Sequence, residues 1–167
     1  MVPSLEEMLE SRDARARHQR KLLQDNPGKT LICLTVVMPG PVKRSRQSLL
    51  IAMAAMTAII QRFGTDQEQV EAFDLATGFE AYLLTSASVV DAKRAVCRIE
   101  EEHPLGRLFD IDVIGRDGIP VERASLGLPP RSCLICGRPA RECMRSGRHG
   151  YEDLLKEIDR RIDGYVS

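Results

Sequence analysis

The chain has 167 residues, which suits one domain with enough length to bury a sizeable core. Its 24 Lys and Arg residues equal its 24 Asp and Glu residues, so the formal net charge is zero. This balance argues against wholesale binding of nucleic acid or of an anionic membrane, and the absence of Trp argues against a base-stacking platform.

The N-terminal residues lack the basic and apolar regions of a signal peptide, and no apolar run approaches the length of a membrane span. We therefore expect a cytoplasmic protein. In that compartment the five cysteines are better interpreted as reduced thiols or metal ligands than as a disulfide framework.

The first half of the chain predicts two helices with a strand between them. Ser4 and Glu7 have the spacing of a capping box at the start of a helix over residues 5–23. A β-branched apolar run predicts a strand over residues 30–38, and an apolar helix follows over residues 45–63.

The second half predicts more strands and two more helices. In order they are a hairpin over residues 69–75 and 80–85, a helix over residues 89–102, an acidic strand up to residue 114, a short strand over residues 119–122 and a C-terminal helix from Tyr151. This order predicts a single α+β domain over residues 1–167, with a mixed or antiparallel sheet and flanking helices. A nucleotidyltransferase-like core is expected by analogy.

Two carboxylates, Asp110 and Asp112, stand two residues apart in an otherwise apolar run. In a strand they share one face, opposite Phe109, Ile111 and Val113. Adjacent acids repel each other unless a cation lies between them, and Mg²⁺ is usually held by one or two carboxylates together with substrate phosphates. Because the pattern is short, its alternative is an ordinary solvated strand face.

The residues just before the acid pair favour the metal interpretation. Gly106 permits close backbone approach, and Arg107 supplies a guanidinium that can bind phosphate. The local pattern therefore predicts metal-assisted phosphoryl or nucleotidyl transfer.

A second phosphate-type signal lies upstream, where residues 39–45 lead from the predicted strand into a helix. Free amides and the helix dipole favour an anion there, with Gly40 and Lys43 as candidate ligands. The alternative is an ordinary loop cap, because the prolines of this loop lack the amides that a phosphate would use.

Residues 11–21 of the first helix are dense in cations. On composition alone this run is a solvated helix face. The competing interpretation is a surface that meets polyphosphate or an acidic partner.

Four metal-type ligands fall in the segment 133–149. Cys133 and Cys136 form a Cys-x-x-Cys-Gly knuckle, and Cys143 and His149 could complete a closed Cys₃His site. A closed tetrahedral site would hold structural Zn²⁺. The alternative is a set of buried free thiols with an incidental histidine.

Five stretches of the chain, taken together, match one known family. They are Ser-Arg-Asp-x-Arg-x-x-x-Gln at 11–19, Val-Val-Met-Pro-Gly-Pro-Val-Lys at 36–43, His-Pro-Leu-Gly-Arg-Leu-Phe-Asp-Ile-Asp-Val at 103–113, Leu-Pro-Pro-Arg-x-Cys-Leu-Ile-Cys at 128–136, and Cys143 with Arg145 and His149. The chain resembles the citrate lyase holo-acyl-carrier-protein synthases, also called apo-citrate lyase phosphoribosyl-dephospho-CoA transferases.

The resemblance implies a defined reaction. Such enzymes take triphosphoribosyl-dephospho-CoA, form a phosphodiester with a serine of the citrate lyase acyl carrier protein (the gamma subunit) and release pyrophosphate. We hypothesise that Asp110 and Asp112 hold Mg²⁺ while Arg107 and Lys43 clamp phosphate oxygens.

The resemblance also implies contacts outside the acid pair. The helix over residues 11–19 becomes a candidate surface for substrate or for an acidic carrier protein, with Arg12 and Arg15 as the first candidates. His103 is a candidate base for the serine, although it could equally be a helix-end residue. Glu122 is a weak candidate for a third metal carboxylate.

Two other functions remain open from the sequence. One is a related Mg²⁺-dependent nucleotidyltransferase that modifies the carrier protein of a decarboxylase. The other is a non-enzymatic interaction module that zinc stabilises.

Overall fold

The computed structural model describes residues 2–167, and at Gln69 it describes the main chain alone. The helices and strands of the described residues are α1 Leu5–Asp25, β1 Thr30–Val36, α2 Arg46–Phe63, β2 Gln67–Leu75, β3 Gly78–Thr85, α3 Val89–Glu102, β4 Phe109–Ile114, α4 Ala140–Ser146 and α5 Tyr151–Val166. The predicted α+β class is confirmed.

The sheet has the strand order β2-β3-β1-β4, and each neighbouring pair is antiparallel. β4 is therefore an edge strand, whose outer main-chain groups need partners from elsewhere. The register places Thr35 of β1 between Glu80 of β3 and Asp110 of β4, and Cys33 opposite Asp112. Because side chains alternate along a strand, the two acids share one sheet face with Thr35 and Cys33.

The two faces of the sheet bury different clusters. Helices α2, α3 and α5 cover one face, where Phe109, Ile111 and Val113 of β4 enter the main core. On the other face, α1 contributes Leu22 to a smaller cluster with residues of three strands: Leu31, Cys33, Tyr82, Leu84 and Ile114. The predicted alternation of β4 is confirmed, because its apolar side chains point into the core and its acids point away.

Helix α2 corrects one expectation about apolar runs. Over Arg46–Asp66 the chain is long and apolar enough to cross a membrane by length and composition alone. Eight residues of α2 are nevertheless buried, and they pack against the sheet and α3. We interpret α2 as the central core helix of the fold.

Side-chain caps set the start of three helices. Ser4 and Glu7 exchange both bonds of the predicted capping box, Ser45 pairs with Ser48 in the same way, and Ser88 accepts from the Asp91 amide. The predicted helices and the predicted hairpin are confirmed with shifts of a few residues at their ends.

Two strand predictions were wrong in detail. β1 ends at Val36, two residues before the predicted end. The Val37 amide still donates in register to the Leu108 carbonyl, but Leu108 lies in the 3₁₀ turn Gly106–Leu108 that precedes β4. Residues 119–122 form only an isolated bridge between Pro120 and Ile114. A proline has no amide to extend such a ladder.

Candidate active site

A cleft of about 900 Å³ lies along the outer edge of β4. Its walls come from β4, α3, residues 120–134, α4 and His149. Glu100 of α3 is 3 % exposed, and its Oε1 accepts a hydrogen bond of 3.1 Å from the Ile111 amide. This bond satisfies an edge amide that has no strand partner, and it holds α3 beside the two acids.

Asp110 lies in this cleft and is held by two donors. Its Oδ1 accepts from Arg131 Nη1 at 2.9 Å, and its Oδ2 accepts from the Thr35 hydroxyl at 3.2 Å. Arg131 Nη2 also donates to the carbonyls of Phe109 and Arg107, at 2.5 and 3.3 Å. The single guanidinium therefore fixes both the acid and the main chain that leads into β4.

Asp112 lies in the same cleft and, among the described residues, makes no hydrogen bond or ion pair. Its carboxylate is accessible to water, but the cleft walls surround it, and this burial raises its pKa above the ordinary value. The charge of Asp110 raises the pKa further, and Lys93 opposes the rise. The pair thus carries negative charge, and Arg131 forms a direct ion pair only with Asp110 while also acting on Asp112 from a distance.

Arg107 contributes an incompletely bonded guanidinium to the cleft. Its Nε is buried and has no hydrogen-bond partner within the described residues. Burial lowers the pKa of Arg107 to about 10, and the nearby charge of Arg131 adds to this effect. A donor of this kind is suited to an anionic ligand that enters the cleft.

Arg123 closes the wall of the cleft next to α3. Its Nη2 donates to Glu100 Oε2 at 2.5 Å, and its Nη1 donates to Glu101 Oε1 at 2.7 Å. The Arg123 side chain is only 10 % exposed and is paired with both glutamates. We therefore interpret Arg123 as part of the cleft wall and not as a group that binds substrate.

The predicted Cys₃His cluster assembles beside the cleft. One ligand atom from each of Cys133, Cys136, Cys143 and His149 lies within 4.8 Å of the others, with Cys136 Sγ at 3.4 Å from Cys143 Sγ and 3.3 Å from His149 Nε2. Tetrahedral Zn–S bonds of about 2.3 Å would separate two sulfurs by roughly 3.8 Å. The four groups could therefore hold a metal ion with small adjustments.

The main chain around Cys133 and Cys136 directs amide groups toward the two sulfur atoms. The Ile135 amide lies 3.5 Å from Cys133 Sγ, and the Arg138 amide bonds to Cys136. The hydrogen bond from the Arg138 amide is the largest cause that lowers the pKa of Cys136 to about 6, and the hydrogen bond with His149 is the next. Burial raises the pKa of Cys143 to about 11, so in the absence of an ion the cluster does not ionise as a whole.

The cluster is joined to the acid pair through a short segment. Arg131 precedes Cys133 by two residues, and the bonds Ala140 N to Arg131 O and Cys133 N to Arg138 O clamp the segment between them. The group that binds Asp110 is therefore positioned by the same turn that presents the first two cysteines.

Comparison with known proteins decides the family. A profile described as apo-citrate lyase phosphoribosyl-dephospho-CoA transferase matches residues 3–165. The transferase of that name from Escherichia coli O139:H28 is 38 % identical over 159 residues, which is 93 % of this chain and 86 % of the relative. A Vibrio cholerae serotype O1 protein, named a probable transferase of the same kind, is 39 % identical over 166 residues, or 97 % and 93 % of the two chains.

The chain belongs to the apo-citrate lyase phosphoribosyl-dephospho-CoA transferase family. The resemblance found from the sequence is thereby confirmed, and with it the class of enzyme. Membership gives no role to an individual residue, so the position of each candidate in this transferase has to be taken from the fold.

The loop predicted to bind phosphate has other contacts in this transferase. Lys43 Nζ donates to the Met38 carbonyl at 2.7 Å, and Lys43 does not line the cleft. Gly40 has a φ of +73°, and a Cβ there would lie 2.3 Å from the ring of Tyr151. Both positions favour a structural role, in which the loop packs against the start of α5.

His103 and Gly106, two predicted site residues that precede β4, also have structural contacts. The amide of Leu105 donates to His103 Nδ1 at 3.0 Å, and the ring packs against Phe109 and Tyr165 outside the cleft. Burial lowers the pKa of His103. A Cβ at Gly106 would lie 2.5 Å from the Glu100 carbonyl, so this glycine permits the tight turn after α3.

The basic helix has two kinds of arginine. Arg15 Nε donates to Glu80 Oε1 at 2.9 Å and lines a separate groove between α1 and the β2–β3 hairpin. Arg12 is exposed on the surface of α1, together with Arg17 and Arg20. Only the exposed arginines are free to meet a partner.

The charged cleft residues of the transferase without a role assigned from the sequence include Lys93, Glu100, Arg123 and Arg131. One available signal was the helical period of α3. Lys93 and Glu100 fall seven residues apart, on the same side as the apolar Ala92, Val96 and Ile99. Charged residues on the buried side of a helix indicate a polar site.

Proposed function

We propose that this chain transfers the phosphoribosyl-dephospho-CoA group of triphosphoribosyl-dephospho-CoA to a serine of the apo-citrate lyase acyl carrier protein, in the cytoplasm. The observation that carries the proposal is the cleft of a family member in which two adjacent acids lie among arginines. Such a combination is suited to a polyphosphate substrate and its metal ion.

The reaction substitutes one oxygen for another at phosphorus. The serine Oγ forms a bond to the α-phosphorus, the bond from that phosphorus to the bridging oxygen breaks, and pyrophosphate leaves with the bonding electrons. The serine proton passes to a base in the cleft or to water. Positioning and charge stabilisation supply most of the catalysis in such transfers.

Asp110 and Asp112 suit Mg²⁺ because they present carboxylate oxygens on one face and Asp112 lacks a counter-ion. When bound, Mg²⁺ would polarise the α-phosphate and neutralise part of the charge on pyrophosphate. Arg131 orients Asp110, and the unpartnered Nε of Arg107 can donate to a phosphate oxygen.

Cys133, Cys136, Cys143 and His149 suit structural Zn²⁺. All four ligands come from the protein, so a tetrahedral ion would have no open position for chemistry. The role that fits is to fix the segment that carries Arg131 to Asp110. A zinc ion here would therefore act on the reaction through positioning.

The carrier protein is proposed to approach over α1, where Arg12, Arg17 and Arg20 are exposed. Acyl carrier proteins are typically acidic, so this arrangement gives charge complementarity. Arg15 is less suited, since its guanidinium is paired with the buried carboxylate of Glu80.

The proposal is tested by incubating the purified chain with apo carrier protein, Mg²⁺ and triphosphoribosyl-dephospho-CoA, and measuring the intact mass of the carrier. We expect the mass of one phosphoribosyl-dephospho-CoA group on one serine. Asp110→Asn should abolish the gain, while Asp163→Asn, the same change at an exposed position of α5, should not.

A parallel incubation with the carrier protein of a decarboxylase measures the choice of partner. Faster transfer to that carrier would identify the decarboxylase carrier protein, instead of the citrate lyase carrier protein, as the partner. No transfer to either carrier would contradict the proposed function.

A further inference from the structure

Lys93 has an unusual environment for a charged side chain. It is 6 % exposed, lies on α3 and lines the cleft. Within the part of the chain that the structure describes, it makes no hydrogen bond and no ion pair. Glu100, two helical turns further on, is buried to a similar degree but has the Ile111 amide and Arg123 as partners.

The position of Lys93 relates it to the acid pair. Its charge acts on Asp112 and lowers the pKa of that acid against the larger effect of burial. The two residues nevertheless do not form an ion pair, which requires a separation of 4.0 Å or less. The ammonium and the carboxylate are therefore near each other in the cleft without direct contact.

The stem of Lys93 is buried, and its ammonium at the cleft has no acceptor from the protein, so an anion that enters the cleft can take the place of water there. Two other cations of the cleft differ in this respect. Arg123 is bonded to Glu100 and Glu101, and Arg131 is bonded to Asp110. Within the described residues, neither the ammonium of Lys93 nor the Nε of Arg107 has a hydrogen-bond acceptor, and of the two only Arg107 Nε is fully buried.

We infer that Lys93 binds an oxyanion of the donor substrate in the cleft, on the Asp112 side, where its ammonium contacts a phosphate oxygen. An ammonium on a flexible stem can follow a phosphate group through a change of geometry. The inference rests on the proposed function only for the identity of the donor. The chemistry on which it depends is a polyphosphate in a cleft with two unsatisfied cations.

The experiment uses inorganic tripolyphosphate as the probe and the full chain without added Mg²⁺. Calorimetry measures its dissociation constant for the wild type, for Lys93→Met and for Lys156→Met, which removes the same charge from an exposed site on α5. We expect Lys93→Met to weaken binding at least tenfold and Lys156→Met to change it less than twofold. Wild-type affinity in Lys93→Met would overturn the inference.

Thermal unfolding separates binding from folding. Lys93→Met keeps the buried aliphatic stem and removes an ammonium that has no protein partner, so its melting temperature without ligand should be close to that of the wild type. A lower melting temperature with unchanged tripolyphosphate affinity would show a purely structural lysine. If Lys93→Met does not fold, Lys93→Gln is measured in its place with the same expected loss of affinity.

The failure of this inference is distinguishable from that of the proposed function. Transfer to the carrier by the wild type, with equal tripolyphosphate affinity in Lys93→Met, would refute only the role of Lys93. Lys93-dependent tripolyphosphate binding without transfer to any carrier would leave the anion site in place and refute the proposed reaction.

Discussion

Arg131 Nη1 donates to Asp110 Oδ1 at 2.9 Å and so joins the cysteine segment to the acidic strand. The two residues are 21 positions apart in the chain. Arg131 stands two residues before Cys133, and Asp110 stands at the second position of β4. This one bond links a candidate metal cluster to the proposed catalytic acids.

Replacing Arg131 should damage activity more than stability. In Arg131→Gln the acid loses its orienting partner, and we expect kcat/KM for carrier modification to fall by roughly 10–100-fold, as for other groups that orient ligands. Because the Asp110 side chain is 49 % exposed, loss of the ion pair should change the free energy of unfolding by at most about 1 kcal/mol, and loss of the bonds to the Phe109 and Arg107 carbonyls should add about 1 kcal/mol.

Steady-state kinetics and urea denaturation of Arg131→Gln give the two quantities. Arg160→Gln, which removes an exposed arginine from α5, is the control and should retain activity. A large loss of stability with little loss of activity would contradict the positioning role.

Metal removal should loosen the segment that carries Arg131. We expect the purified chain to contain about one zinc ion per molecule, by mass spectrometry of the metal. Cys136→Ser should lose that ion and lower the melting temperature by roughly 5–10 °C, because metal binding is coupled to folding.

Cys97→Ala removes a buried cysteine of α3 that is outside the cluster, and it should keep the ion. Metal content near zero in the wild type, with no effect of a chelator on melting, would exclude the Cys₃His site.

The pH dependence of stability tests whether His103 is structural. Burial lowers the pKa of the folded imidazole below its ordinary value of 6.5. The neutral ring is therefore favoured in the folded state, and its stabilisation is present above pH 6.5 and is lost as the pH falls toward the lower folded pKa. His103→Asn should remove this acid sensitivity.

Melting curves between pH 5 and pH 8 measure the effect, which should be roughly 2 °C between the ends of that range. Equal acid sensitivity in wild type and His103→Asn would contradict the burial of a neutral ring. Loss of all transfer activity in His103→Asn at pH 8 would instead support the catalytic role of His103 predicted from the sequence.

Charge reversal on α1 tests the proposed carrier surface. Arg12→Glu should raise the KM for the carrier protein about tenfold while leaving the KM for triphosphoribosyl-dephospho-CoA unchanged, because like charges slow association. Arg62→Glu makes the same charge change on α2 and should have little effect. An equal change of the carrier KM in the two variants would show that the carrier protein does not bind at this surface of α1.

Local sequence rules accounted for much of this fold. The capping box at Ser4, the β-branched run of β1 and the period-two alternation around Asp110 and Asp112 each depend on neighbours in the chain. The Cys₃His cluster was also predictable, because its ligands lie within 17 consecutive residues, from 133 to 149.

The partners of the acids were not predictable in the same way. Arg131 and Glu100 reach β4 from other elements, and nothing in local periodicity indicates which carbonyl, amide or carboxylate they meet. The loop of Gly40 has a phosphate-like pattern, yet the fold packs Tyr151 against that glycine. Long-range packing therefore supplies contacts that the sequence does not show.

The most direct test measures two products of one incubation: pyrophosphate released and phosphoribosyl-dephospho-CoA attached to the apo carrier. The proposed function predicts equal amounts of the two with wild-type protein, and neither product with Asp110→Asn. Pyrophosphate release without modified carrier, or modification that persists in Asp110→Asn, would contradict the assignment of the acid pair to this transfer.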